Sequence, residues 1–176
     1  EGKPIEVEIY SRSPRVRLYL NDSIVAERAT TRAEEYKAVI TVPYTPGTLR
    51  AEAIDEQGNP IPSMNTGHST LRTAGTPYAI RLVADRTAIQ ANNQDLSFIT
   101  VEVVDKNGVV CPNAADELTA TLSGRGVLAA FGNADIKELG CTVDNEHNVW
   151  KGRALAVVRS TYRRGNAVLT ITGKGL

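Results

Sequence analysis

The stretches Pro4-Ile-Glu-Val-Glu-Ile-Tyr10 and Arg15-Val-Arg-Leu-Tyr-Leu20 decide the fold class. In the first, Ile5, Val7 and Ile9 alternate with Glu6 and Glu8. In the second, Val16, Leu18 and Leu20 alternate with Arg15, Arg17 and Tyr19. A period of two places every apolar side chain on one face of an extended backbone, as in a half-buried strand. The same reading predicts strands over residues 36–43, 48–55 and 68–73, then 78–84, 97–105, 118–123, 127–131, 153–160 and 167–172. Helical candidates near residues 31–35 and 113–117 are too short for more than a single turn. Short strands with turn signals recurring at close intervals describe an all-β protein of sandwich or barrel type.

Working outward, Leu71-Arg-Thr-Ala-Gly-Thr-Pro77 is the natural boundary, because Gly75 and Pro77 punctuate it and a new strand follows. The expectation is therefore two tandem immunoglobulin-like β-sandwich domains, residues 1–74 and 75–176. An internal echo accompanies this division. Ala51-Glu-Ala-Ile-Asp-Glu-Gln-Gly-Asn-Pro-Ile-Pro62 aligns with Val101-Glu-Val-Val-Asp-Lys-Asn-Gly-Val-Val-Cys-Pro112 at an offset of 50. Each is a strand running into an Asp-x-x-Gly turn, in which Asp bonds its own backbone and Gly takes a positive φ. The copies lie late in one half and early in the other, which favours one hairpin chemistry used twice over a duplicated domain.

The chain has 176 residues, 20 basic and 20 acidic side chains, and a formal net charge of zero. Residues 1–75 hold nine Lys/Arg against ten Asp/Glu, and residues 76–176 hold eleven against ten. No basic half exists to gather phosphates, so nucleic acid is not an expected partner. No apolar run approaches the roughly 20 residues of a membrane-spanning helix. The start at Glu1 without Met suggests a mature product or a piece of something longer. Cys111 and Cys141 are too few for a disulfide framework or a structural zinc site; they form either one bridge in an oxidising compartment or, as the preferred reading, two buried thiols.

Candidate chemistry is sparse. Ser69, His68 and Asp55 assemble a triad only on paper, since no turn presents the serine as a nucleophile elbow does. His147 sits in Asp144-Asn-Glu-His-Asn148, which reads as a polar loop; with Cys141 it supplies at most part of a metal site. Gly124-Arg-Gly126 runs into a strand rather than a helix, so it is no phosphate loop. Asp105-Lys-Asn-Gly108 opens like a calcium loop but lacks the later acids. The adjacent pairs Glu34-Glu35, Asp55-Glu56 and Asp116-Glu117 lie on polar turns and do not face each other across a cleft, as glycoside hydrolysis requires. No catalytic residue, metal site or cofactor is assigned.

For binding, Trp150 is the only tryptophan, with core filling between sheets as its expected role and sugar contact as the alternative. Asn133 and Asp135 are oxygen donors on an expected loop, where they are solvated by default and are sugar contacts in the alternative. Tyr10, Tyr19 and Tyr36 alternate with core positions and so belong to a surface. Asn21-Asp-Ser23 matches a glycosylation acceptor, yet Asn-Asp also suits the turn between two strands.

Taken together, the ordered motifs resemble a known family. Ser13-Pro-Arg-Val-Arg-Leu-Tyr-Leu-Asn21 and Val42-Pro-Tyr-Thr-Pro-Gly-Thr-Leu-Arg-Ala-Glu-Ala53 are similar to the segment after the catalytic barrel in bacterial glycoside hydrolase family 2, the β-galactosidase group. Ile80-Arg-Leu-Val-Ala-Asp-Arg86, Asp95-Leu-Ser-Phe-Ile-Thr-Val-Glu-Val-Val-Asp105 and Ala154-Leu-Ala-Val-Val-Arg-Ser160 resemble its terminal immunoglobulin-like domain. The chain departs from the pattern at Asp22 and Ala134, where the family commonly has Gly. The resemblance implies a non-catalytic C-terminal module pair of a retaining glycosidase whose two catalytic glutamates lie upstream. Its expected partner is that catalytic domain, with a role at the substrate entrance or in oligomer contacts, and carbohydrate as a second partner. A periplasmic or extracellular bacterial setting goes with it. The alternative is a carbohydrate-binding or cell-surface adhesion tandem.

Overall fold

A computed structural model describes residues 1–64, 69–138 and 140–176. The chain divides into two compact units, Glu1–Thr73 and Ala74–Leu176. Both are all-β and immunoglobulin-like in architecture.

In the first unit, β1 (Pro4–Tyr10) pairs antiparallel with β4 (Lys37–Pro43), with Val7 opposite Ile40. A four-stranded sheet runs β3-β2-β5-β6, from β2 (Arg15–Leu20), β3 (Ser23–Ala29), β5 (Thr48–Ile54) and β6 (Thr70–Arg72). The alternating sets now meet: Leu18 of β2 is buried with Ile40 and Val42 of β4, flanked by Val7, Ile9, Ala26 and Leu49. Polar partners in the sequence pattern face outward, and Glu8 of β1 pairs with Lys37 and Tyr10 across that surface. Asn21 and Asp22 both have positive φ, 48° and 64°, which makes the two-residue turn that fits a twisted hairpin. The Asn21 side chain also braces the neighbouring loop, donating to Pro46 O and accepting from Thr48 N. The helical candidate near residue 31 is a single 3-10 turn, Arg32–Glu34, closed by a Thr31–Glu34 capping box.

In the second unit, the strands are β7 (Ala79–Ala84), β8 (Leu96–Val104), β9 (Glu117–Gly124), β10 (Gly126–Gly132), β11 (Glu146–Asn148), β12 (Arg153–Ser160) and β13 (Ala167–Gly173). One sheet is ordered β10-β12-β8-β7 and the other β11-β9-β13. Ile99, Val101 and Val103 of β8 and Ala154, Ala156 and Val158 of β12 face Leu118 and Ala120 of β9, with Phe131 at 0% exposure. That two-sheet core is the expected sandwich.

Near residues 113–117 the chain makes one turn, Ala114 N closing onto Cys111 O, before β9 starts at Glu117. Two local expectations are corrected. Glu146–Asn148 is a strand rather than a loop, because β9 offers it a ladder and draws His147 inward opposite Leu118. The two thiols are not both buried: Cys111 is, Cys141 is exposed, and both are free.

Candidate functional site

The echoed Asp-x-x-Gly segments are one structural device built twice. In each, the amide of Asp55 or Asp105 donates to the carbonyl of Asn59 or Val109, and Gly58 or Gly108 turns at positive φ, 87° and 75°. An arginine on the neighbouring strand reaches the glycine carbonyl: Arg17 to Gly58 O at 3.1 Å and Arg81 to Gly108 O at 2.9 Å. Each arginine also stands opposite the glutamate three residues before the aspartate, Arg17 with Glu52 and Arg81 with Glu102. Burial opposes the charge of Glu102, but hydrogen bonds from Arg81 and Arg153 outweigh it and hold the carboxyl below its usual range. This is the chemistry of a braced hairpin, and it explains Asp105 without any calcium.

The second copy has a further attachment. Asp105 is buried, and its carboxylate accepts from Gly75 N, Asn107 N and Val109 N at 2.8, 2.8 and 2.9 Å. The Cys111 thiol contacts Gly75 O at 3.5 Å. Asp105 and Cys111 thus fix Gly75, the second residue of this unit, ahead of its first strand β7. Burial pushes the Cys111 thiol above its ordinary pKa, helped by the charges of Asp105 and Asp116.

The three sugar-contact candidates gather at one end of the second unit. Asn133 donates to Asn148 O at 2.7 Å, two residues before Trp150, and accepts from Asp135 N. Asp135 in turn accepts from Lys137 N. Asp135 therefore braces its own loop, and Asn133 ties that loop to the end of β11. Trp150 does not fill the core: it is 39% exposed in the turn that leads into β12, where it bridges to Arg153, and the Lys151 ammonium stands 4.5 Å from its ring centroid. One face of the only indole is thus covered by a cation. His147 is buried, with Nδ1 3.1 Å from Glu138 Oε1 and Nε2 3.0 Å from Cys141 O, edge-on to Phe131. Cys141 offers its backbone oxygen to that ring, so the pair clasps a loop. His68 lies outside the described residues, and with it the paper triad.

The opposite end of the same sandwich is open. A cleft of about 1000 Å³ lies where the chain crosses between sheets, at the β9–β10 turn around Arg125 and in the β12–β13 loop over residues 161–166. Its floor is apolar, from Ile99, Leu122, Val158 and Leu169, and its walls carry Arg86, Arg125, Arg163 and Arg164. No aspartate or glutamate lines it. In the sequence this place shows only as Gly124-Arg-Gly126, a turn that does not read as a phosphate loop. The available signal was that turn together with Arg163-Arg-Gly165, two arginine–glycine turns that cross between sheets.

Comparison with known proteins places this architecture. Fold and topology are those of tandem immunoglobulin-like sandwiches. A family model described as glycoside hydrolase family 2 C-terminal domain 5 matches residues 80–176, and a domain of unknown function, DUF4982, matches residues 2–62. The chain belongs to glycoside hydrolase family 2, as a C-terminal part of it. It is 34% identical to a family 2 member from Bacteroides cellulosilyticus, with a TM-score of 0.91 over 99% of this chain and 22% of that one. It is 29% identical to beta-galactosidase BoGH2A of Bacteroides ovatus over 95% of this chain, and 28% identical to a beta-glucuronidase of Formosa agariphila over 66%. The chain spans 19% and 11% of those two relatives' lengths.

Proposed function

We propose that the chain is the non-catalytic C-terminal module pair of a retaining family 2 β-glycosidase, and that it supports a catalytic barrel encoded upstream. The observation that carries this reading is coverage: nearly the whole chain matches 22% of a family 2 structure, in order and at high similarity. A docking surface is available on the second unit. The outer face of the β10-β12-β8-β7 sheet exposes Val83, Phe98, Val127 and Leu155 at 50, 42, 39 and 41%. The register puts Phe98 opposite Val157 and Leu155 opposite Thr100, so these side chains form one patch rather than scattered points. Apolar patches of this kind mark packing surfaces, and the remaining polypeptide of the much longer parent is its partner in this reading. A role at the substrate entrance, and a periplasmic or extracellular setting, are parts of the same proposal.

The test compares this chain with a polypeptide extended upstream through the barrel, using aryl β-galactoside and aryl β-glucuronide. The expected result is turnover by the extended protein alone, and Phe98→Asp with Leu155→Asp should lower its melting temperature more than that of the isolated chain. Turnover of either glycoside by the highly purified 176-residue chain would overturn the reading.

A further inference from the structure

We infer that the open cleft of the second unit binds an acidic oligosaccharide, one carrying carboxylate or sulfate groups. Of the four arginines in its walls, Arg86 is answered by Asp85 and Asp95, at 3.5 and 3.2 Å. Arg125, Arg163 and Arg164 form no ion pair with any described residue. A chain of zero net charge thus concentrates three unanswered guanidinium groups in one concavity. Like charges held together repel each other, and the arrangement becomes favourable when an anion is added.

Their grouping is fixed by the backbone rather than by side-chain mobility. Gly124 and Gly165 both have positive φ, 90° and 146°. A Cβ on Gly124 would collide with Asn166 O, and one on Gly165 with the Arg125 side chain. The two turns therefore interlock, and Arg125 N donates to Asn166 O at 2.8 Å. This contact sets Arg125 beside the loop that carries Arg163 and Arg164.

The rest of the lining selects among anions. Guanidinium groups grip carboxylate and sulfate through paired N–H donors. The apolar floor suits the C–H face of a pyranose, and the amides of Gln90 and Asn166 can serve ring hydroxyls. A volume of about 1000 Å³ is at the upper end of ordinary ligand pockets and accommodates more than one sugar unit. A long polyanion such as nucleic acid needs a basic track, whereas these charges are confined to one cleft end. The choice of a saccharide over an acidic peptide rests on the glycosidase reading above.

Isothermal titration of the 176-residue chain with oligogalacturonate, a heparin oligosaccharide, neutral galactan and a glutamate decapeptide tests the proposal. Saturable binding of at least one acidic oligosaccharide is expected, with none to galactan, and added salt should weaken it. The double variant Arg163→Gln, Arg164→Gln should reduce affinity by about tenfold or more, since charge-assisted bonds dominate such sites. These side chains are exposed, so an unchanged melting curve verifies the fold. Failure of both acidic glycans to bind overturns the proposal, as does binding that the variant leaves intact. Decapeptide binding as tight as the best glycan identifies an acidic-peptide site and overturns the saccharide assignment. The aryl glycoside assay is independent of all these outcomes, so failure here leaves the glycosidase reading standing or falling on its own test.

Discussion

The carboxylate of Asp105 collects three backbone N–H groups, one of them from Gly75 outside its own hairpin, whereas the main partner of Asp55 in the matching hairpin is Asn59, through its amide and its side chain. Hydrogen bonds from Gly75, then Val109, hold the Asp105 carboxyl below its ordinary pKa, and Asp55 is lowered in the same direction by Asn59. A depressed folded-state pKa means stability that is complete above the unfolded value and lost as pH falls through the folded one. Denaturant melts should therefore be level above about pH 5 and weaken below about pH 4, near the unfolded aspartate value. Asp105→Asn should destabilise at neutral pH more than Asp55→Asn, because an amide cannot accept at both oxygens' places, and it should flatten the acid limb. Equal melts for the two variants would deny Asp105 its extra role at Gly75. The cysteines make a second residue-level test. Cys141 should react with a thiol reagent in the folded protein, while Cys111, buried and raised in pKa, should react only on unfolding. Two thiols titrating at one fast rate would contradict this.

At the scale of elements, alternation was readable wherever a strand has one buried face. Val16 and Leu18, or Ala154, Ala156 and Val158, are inward in the structure as the period of two requires. β11 was illegible because Glu146-His-Asn148 has no apolar alternation; its strand state comes from β9, a partner remote in sequence. Trp150 departs from its expected role for a related reason, since hydrophobicity suggests burial while its position in the turn before β12 leaves it exposed. The arginine cleft was invisible because its members are scattered from residue 86 to residue 164 and only two sheet crossings unite them. The echo was legible as sequence, but the bracing arginines Arg17 and Arg81 lie outside the aligned segments. The Asn21-Asp22 turn supports a prediction of its own. A turn with both central residues at positive φ favours Asn-Gly, and Asp at 64° carries a penalty that Gly does not. Asp22→Gly should stabilise the first unit by about 0.5 kcal/mol, the backbone relief being partly cancelled by added freedom in the unfolded chain. A lower melting temperature for this variant would show that the Asp22 carboxylate matters more than its backbone.

For the whole molecule, the two units differ in how much core they own. Among the described residues, the first unit buries seven apolar side chains, Val16, Leu18, Ala38, Ile40, Val42, Ala53 and Ile54, whereas the second buries thirteen around Phe131. Domains of about 70 residues bury a smaller fraction of their surface than larger ones and are correspondingly marginal. Each unit also closes its own backbone ladders, with every strand pair lying inside one unit. The second unit should therefore fold alone as residues 74–176, and the first should be the weaker of the two. In the full chain, differential scanning calorimetry should resolve a lower transition that Leu18→Ala moves down and an upper one that Phe131→Ala moves down. Each substitution removes buried apolar volume worth about 2–5 kcal/mol, enough to shift its own transition by many degrees. The exposed face of Phe98 and Leu155 should raise no obstacle to folding, since it lies on the side of the sheet away from the core. A single transition that both substitutions lower equally would mean that the units unfold as one, and the separate cores would then not govern stability.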